Sequence, residues 1–568
     1  MKRYFYIAEF FILSLTLFIA CEKEEININH ISPKTNNEEI VADIKLTDIG
    51  CLTDNVVIGK KLENPYSLRN MKKACDDLFP ATRGETALSD TLIVPNYLYV
   101  RFLPADSTDV NKLLESEYEL YNYPLDYEII GDPSDYYDSN VEEGKITWQY
   151  TAIPIESKLP DVECEVLDVC YIPTETNNYS QIVREIEDRA FINTGNGDAS
   201  GSNTGSGSSG SNTGSGSSGT SSNKLRGTIR VLDTNLGYQG VKGIKVRARV
   251  FLKIRTDYTD ENGNYAITND FNLSPRYELR FENKYGFKEG YSLGCLVLPA
   301  TYNMQKSRNI DIKQQDSHKW WSLATVNNAA YDWFKFCEDN NITKPAGDLR
   351  IWIMKVAEGA STLMLHHGLF NYTNASKIMD YIALSSSNPY VLLADVALKA
   401  LIQLIGPDIT LCGIESVTES KEIYDTICHE LAHATHFQKL GNNDMNRCAW
   451  WCNVFNYELE YISDPGYGDG SYYGSGPCGV TEMWAYAMGY YMQNSTYSLK
   501  ETVFPRYYCN YWFKPDALWD LLIAGDITPK EAADCLVPSV VCVNDFKEML
   551  VNNNPEKSGI IESTYAKY

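Results

Sequence analysis

Basic residues are scarce in this chain. Lysine and arginine total 50 against 75 acidic residues in 568, a net charge of −25. A phosphate-backbone partner draws its affinity from lysine and arginine, so this balance argues against nucleic acid as a partner. Histidine is scarcer still, at seven residues, so any clustering of histidine is informative. The apolar run near the start, FFILSLTLFIA from Phe10 to Ala20, is too short to span a bilayer comfortably. Nothing else about the composition is deficient. Hydrophobic residues at 44% and charged residues at 22% are globular values, and the length predicts two to four domains. Fifteen cysteines are many for a protein kept reduced. Forty tyrosines lean towards an extracytoplasmic protein facing carbohydrate or peptide.

Lys2 and Arg3 followed by the apolar run read as a secretory signal over 1–20. The run stops at Cys21, after Phe18-Ile19-Ala20. This resembles a bacterial lipobox, although Phe18 stands where leucine is usual and Leu17 lies one place off. The resemblance implies that Cys21 is lipid-modified and anchors the chain to a membrane. Glu22-Lys23-Glu24-Glu25 is similar to the acidic export tag of Bacteroidota lipoproteins, which implies the cell-surface side of the outer membrane, with its periplasmic face as the other reading. Without Cys21, 14 cysteines remain; disulfides are expected, with connectivity unreadable from sequence.

After an acidic tether (21–45) the chain divides at a Gly/Ser-rich stretch, 193–224, in which SNTGSGSSG occurs at 202–210 and again at 211–219. About thirty such residues form a flexible tether with a reach of roughly 30 Å, so the two sides are expected to be separate folding units. Upstream (46–192), YLYVRFLP alternates as a strand, DSTDVNKLLES reads as a helix and YELYNYPL as a second strand, giving a small α+β module without a catalytic constellation. Downstream, 225–315 is strand-rich, with a turn at Asp260-Glu261-Asn262-Gly263-Asn264. Thr259, Asp260, Gly263 and Tyr265 resemble the T-D-x-x-G-x-Y motif of carboxypeptidase-regulatory-like domains, which implies a non-catalytic β-sandwich. From 316 to 568 the pattern is mixed. SLATVNNAAYDWFKFCEDN reads as an amphipathic helix, DLRIWIMK as a strand, NPYVLLADVALKALIQLIG as a buried helix and PDITLCG as a strand. A long helix from about Thr418 to Leu440 follows, with Ser416 and Glu419 as a capping box and Gly441 as its stop.

That helix contains Cys428-His429-Glu430-Leu431-Ala432-His433-Ala434-Thr435-His436. His429 and His433 are four residues apart, about 40° around the helix, so both imidazoles face one side and can grip one Zn²⁺. Glu430 projects beside them, where a carboxylate takes a proton from an attacking water and returns it to the leaving amine. With so few histidines an accidental H-E-x-x-H is roughly a one-per-cent event. His436 lies about 10.5 Å along the axis from His429, too far to share that ion on a straight helix. It is left as a positioning, substrate-contacting or solvated residue. A third ligand must come from elsewhere, and Glu482 in GVTEMWAYAMGYYMQ is the candidate. Its helix carries small Ala485 and Gly489, which permit close approach. Asp425, one turn before His429, is a candidate to orient it. Tyr486 is a candidate oxyanion donor, a partner that positions a ligand or a packing residue, with His366, His367, Tyr472 and Tyr473 as weaker candidates.

H-E-L-A-H followed by E-x-x-A on a later helix resembles the gluzincin metallopeptidases. The likeness implies a zincin fold over 316–568, His429, His433 and Glu482 as zinc ligands and Glu430 as general base. The separation of 49 positions from His433 to Glu482 exceeds the thermolysin spacing, and Tyr486 stands where those enzymes have an aspartate. Cys448, Cys452 and Cys478 lie between the two ligand helices, where disulfides tying a long loop are expected rather than a second metal site, since C-x₃-C is not a typical zinc spacing and no histidine joins it; Trp450 and Trp451 either line a cleft or form a buried corner. The expected whole is multidomain: a small N-terminal α+β domain, a β-sandwich and an α+β zincin domain. Its expected function is a lipid-anchored zinc peptidase acting on a peptide or protein, glycoproteins included. The alternative is a non-catalytic adhesin or glycan-binding lipoprotein on the same scaffold.

Overall fold

The computed structural model describes residues 57–568 apart from 132, 134–135, 142–144, 175–180, 198–223, 292–297, 355–358, 368–405, 442–443, 462–466 and 506–511. The signal with Cys21, most of the Gly/Ser-rich stretch and almost all of the apolar segment 388–406 therefore lie outside the described residues. What is described is mixed α/β, built on several sheets.

In the front part, strand β1 (Tyr97–Leu103) is followed by helix α1 (Ser107–Leu114), whose first amides are taken by Asp106: its carboxylate accepts from Thr108 N and Asp109 N at 2.8 and 3.1 Å. Strands β2 (Gln149–Pro154) and β3 (Glu163–Cys170) flank β1 antiparallel, and helix α2 (Gln181–Asn193) closes the part. The expected strand at 118–125 does not form. Only Tyr121 bridges to Tyr150, and the carbonyls of Leu120 and Leu125 are claimed by arginine side chains from further along the chain.

Those arginines come from the strand-rich segment that follows: β4 (Lys224–Asp233), β5 (Ile244–Val250), β6 (Lys253–Tyr258), β7 (Asn264–Thr268), β8 (Arg276–Asn283), β9 (Lys288–Tyr291), β10 (Thr301–Gln305) and β11 (Ile310–Ile312). The turn between β6 and β7 is the expected one. Asp260 accepts from Asn262 N and Asn264 N, and Gly263 at φ +79° is required there, since a Cβ would sit 2.0 Å from the Ile229 carbonyl. On β5, Ile244, Val246 and Ala248 enter the core while Lys245, Arg247 and Arg249 face the front part. The polar side of this strand is thus buried too. Arg247 pairs with Glu278 at 2.8 Å, Tyr123 hydrogen-bonds the same carboxylate, and Lys253 meets Glu187 of α2 at 3.2 Å. The two sides of the Gly/Ser-rich stretch accordingly pack on one another. A flexible connection fixes neither independence nor separation; the buried charges decide.

The rear part begins with α3 (His318–Asp339) and adds β12 (Arg350–Met354), β13 (Gly359–Thr362), β14 (Ile409–Cys412), α4 (Ser420–Lys439), α5 (Asp444–Glu460) and α6 (Ser475–Tyr497), then shorter helices including α7 (Pro515–Ala524). An eight-stranded sheet runs β13-β14-β12-β9-β8-β5-β6, with β10 also on β8. The β9–β12 and β12–β14 pairs are parallel, and β13 lies antiparallel at the edge. The sheet crosses the boundary expected near 315 without interruption, and one core continues from Ile229 to Tyr565. Helix α3 is buried on most of its circumference rather than on one face, because it lies between this sheet and α4; Trp321 Nε1 donates to the Leu232 carbonyl and Trp333 Nε1 to Thr435.

Candidate metal centre

Helix α4 forms because Ile423, Ile427, Leu431 and Ala434 recur on one face, all fully buried, and it stops before Gly441 at φ +96°. Its start differs from the expected capping box. The Ser416 hydroxyl donates to the Gly413 carbonyl, and Thr234, a residue just after β4, caps the helix from outside: Ser420 N donates to Thr234 Oγ1 at 2.8 Å and Thr234 N to Ser420 Oγ at 3.0 Å.

The i, i+4 spacing sets the His429 and His433 rings 4.7 Å apart at 81°, with their Nε2 atoms 3.0 Å from each other. Helix α6 packs tightly across this face. A Cβ on Gly489 would stand 3.1 Å from the His429 Cβ and amide, and Trp484 Nε1 donates to the Ala432 carbonyl at 3.0 Å. The small residues at 485 and 489 bring Glu482 over the pair: its two oxygens lie 3.6 Å from His429 Nε2 and 3.6 Å from His433 Nε2. His429, His433 and Glu482 each offer one donor atom, all within 4.8 Å of one another. Bonds of about 2.0–2.1 Å to a tetrahedral zinc imply donor separations of about 3.3 Å, close to those found.

The surroundings favour such an ion. Burial lowers the His429 imidazole to about 3 and drives His433 well below its ordinary value, so both present neutral, lone-pair nitrogens. In that tautomer His433 Nδ1 donates to Thr481 Oγ1 at 2.8 Å, which fixes the ring. Burial pushes Glu430 up to about 8, and burial plus neighbouring carboxylates raises Glu458 to about 8 and Glu482 well above its usual range. Glu458, from α5, shares a hydrogen bond with Glu482. Among the described residues no lysine or arginine pairs with these three carboxyls, so burial holds them towards the neutral form, and a divalent ion bound here would favour their ionised form. Glu430 is held from the sheet side, where the Thr362 hydroxyl at the end of β13 lies 2.7 Å from its carboxylate.

No protein-family model, curated protein or solved structure matches this chain. Its chemistry must therefore be argued from the residues themselves.

Several expectations need correction. Asp425 makes no hydrogen bond to His429 among the described contacts; burial alone raises its carboxyl to about 7, and Thr481 orients the other histidine instead. His436 is not solvated. It is fully buried against Trp450 and Trp451, with neither ring nitrogen hydrogen-bonded, and burial lowers it to about 3. Trp451 is buried, its Nε1 donating to the Thr362 carbonyl at 3.1 Å, while Trp450 is partly buried beside it. The expected loop between the ligand helices is helix α5, because Cys448, Trp451, Val454 and Tyr457 give it a buried face at helical spacing. Among the described residues no disulfide is formed, and Cys478 is a buried thiol. Tyr486 packs edge-on to His429, with centroids 4.6 Å apart, and against Phe513. Tyr472 stacks on Tyr461, Tyr473 is fully exposed, and His366 and His367 join Asp348 in a separate group. Thr481, Thr362 and Glu458 are the site residues that sequence reasoning missed; none carries a local signal.

Proposed function

We propose that the chain is a zinc-dependent peptidase of gluzincin type, carried on a lipid-anchored outer-membrane protein through Cys21. The observation that supports this most is the convergence of His429 Nε2, His433 Nε2 and the Glu482 carboxylate from two helices onto one point. Zinc held there supplies Lewis acidity, polarising a scissile carbonyl and acidifying water beside it. Glu430 accepts the proton of the attacking water and delivers it to the leaving amine nitrogen, while Thr362 keeps its carboxylate in place. Thr481 holds His433 in the tautomer that leaves Nε2 free. The surface anchor, the secretory signal and the acidic balance agree with a protein or peptide substrate met outside the cytoplasm.

Substituting Glu430→Gln is expected to leave zinc content unchanged and to lower hydrolysis of an unfolded protein substrate by about 10²-fold or more. Chelation is expected to abolish hydrolysis by the wild type, and zinc to restore it. Turnover by E430Q at the wild-type rate overturns the assignment; zinc binding without any cleavage returns the chain to the adhesin reading.

A further inference from the structure

Five of the seven histidines lie in the described part outside His318 and the N-terminal region, and four of these form two pairs. The second pair is His366 and His367, in the turn that follows β13. Their rings stand 4.8 Å apart at 81°, the arrangement of His429 and His433 reproduced to within 0.1 Å. Both Nε2 atoms point at one carboxylate: Asp348, just before β12, lies 3.1 Å from His366 and 2.8 Å from His367. The three donor atoms lie within 4.8 Å of one another.

A surface ion pair needs nothing behind it, and this group has a built support. Asp408, just before β14, is fully buried, with Oδ1 3.0 Å from His367 Nδ1. The same carboxylate accepts from His366 N at 3.0 Å, His367 N at 3.2 Å and Arg350 N at 3.0 Å. It therefore fixes the turn and one ring together, leaving Nε2 directed outward, the role outer carboxylates play for ligating histidines. Two imidazoles and one carboxylate as donors suit zinc or a similar transition ion rather than calcium or magnesium.

We propose that Asp348, His366 and His367 form a second, structural divalent-metal site with a zinc-type preference. It ties the end of β13 to the starts of β12 and β14, and so steadies the strand whose Thr362 holds Glu430. The site is independent of the first, and its test separates the two. Zinc is measured by elemental analysis on the full untagged chain after equilibration with zinc and gel filtration. Two equivalents are expected for the wild type, one for H429Q/H433Q, one for H366Q/H367Q and none for the fourfold variant. A chain that keeps one equivalent through H429Q/H433Q and loses it with H366Q/H367Q supports this site even if the first holds no metal. A single equivalent unaffected by H366Q/H367Q overturns the proposal. Should that variant fold poorly, D348N, at an exposed carboxylate, replaces it. In the H429Q/H433Q background zinc is expected to raise the melting temperature, and D348N to remove that rise; a rise that survives D348N is the contrary result.

Discussion

Thr481 stands one residue before Glu482 and reaches His433 Nδ1 at 2.8 Å, so a single turn of α6 supplies both a candidate ligand and the group that orients another. Replacing it with valine keeps the shape and removes the hydrogen-bond partner. T481V is expected to weaken zinc binding about 10- to 100-fold and T481S to restore it, read by competition with a chelator of known affinity. Unchanged affinity in T481V is the refuting result. Glu289 is the opposite kind of residue: buried on β9 with neither carboxylate oxygen hydrogen-bonded, and raised well above its usual range by burial alone. The unfolded chain releases this proton near pH 4.5 while the folded chain keeps it, so stability falls as pH rises above that value. E289Q is expected to be more stable than the wild type at pH 7, by a margin that shrinks towards pH 4. Urea titrations at several pH values check this, and parallel stability profiles for the two chains refute it. At this scale the sequence was readable where chemistry and spacing coincide, as in His429, Glu430 and His433. Thr481, Thr362 and Glu458 were not readable, because a threonine beside a glutamate and a glutamate on an unrecognised helix look the same whether or not a site lies opposite.

Helix α6 approaches α4 closely because of two small residues, and that closeness is what brings Glu482 to the histidines. At Gly489 an added Cβ meets the His429 Cβ and amide at 3.1 Å and the Asp425 carbonyl at 3.2 Å, all parts of a rigid helix. G489A is expected to cost about 1–3 kcal/mol and to lower zinc affinity, and G489L to lose zinc with helical content retained. Thermal unfolding with zinc analysis decides; G489L with full zinc content means the approach is not limiting. This closeness was legible from the pattern Glu482, Ala485, Gly489. Helices α3, α4 and α6 and strands β12 and β14 were legible from their periodicity; β13 and α7 were not read, nor was α5, whose Cys448-Ala449-Trp450-Trp451 stretch invites a loop or disulfide reading. Pairing was less so. The parallel register of Lys288 to Tyr291 on Arg350 to Ile353 joins segments about 60 residues apart with nothing local to announce it, and it erases the boundary expected between the strand-rich segment and the rear.

Across the whole molecule, the front part is fastened to the strand-rich segment by charge taken out of water. Arg247 meets Glu278 at 2.8 Å and the Leu120 carbonyl at 3.2 Å, Arg280 meets the same carbonyl at 2.8 Å, and Lys253 meets Glu187 in an almost fully buried pair. The Arg247 and Arg249 guanidiniums also lie over Tyr121, 4.0 and 5.4 Å from its centroid. Removing one partner of such a pair strands the other, at about 3–5 kcal/mol, whereas replacing both with apolar groups of similar size recovers much of the loss. R247M is therefore expected to destabilise strongly and R247M/E278M less. The same contacts imply that the Gly/Ser-rich connection does not hold the two sides together. With a protease site placed between 205 and 215 and cut in the folded protein, the two fragments are expected to co-elute in gel filtration at micromolar concentration. In R247M they are expected to separate. Wild-type fragments that part on cutting show that the buried pairs need the tether, and that the interface is weaker than its geometry implies.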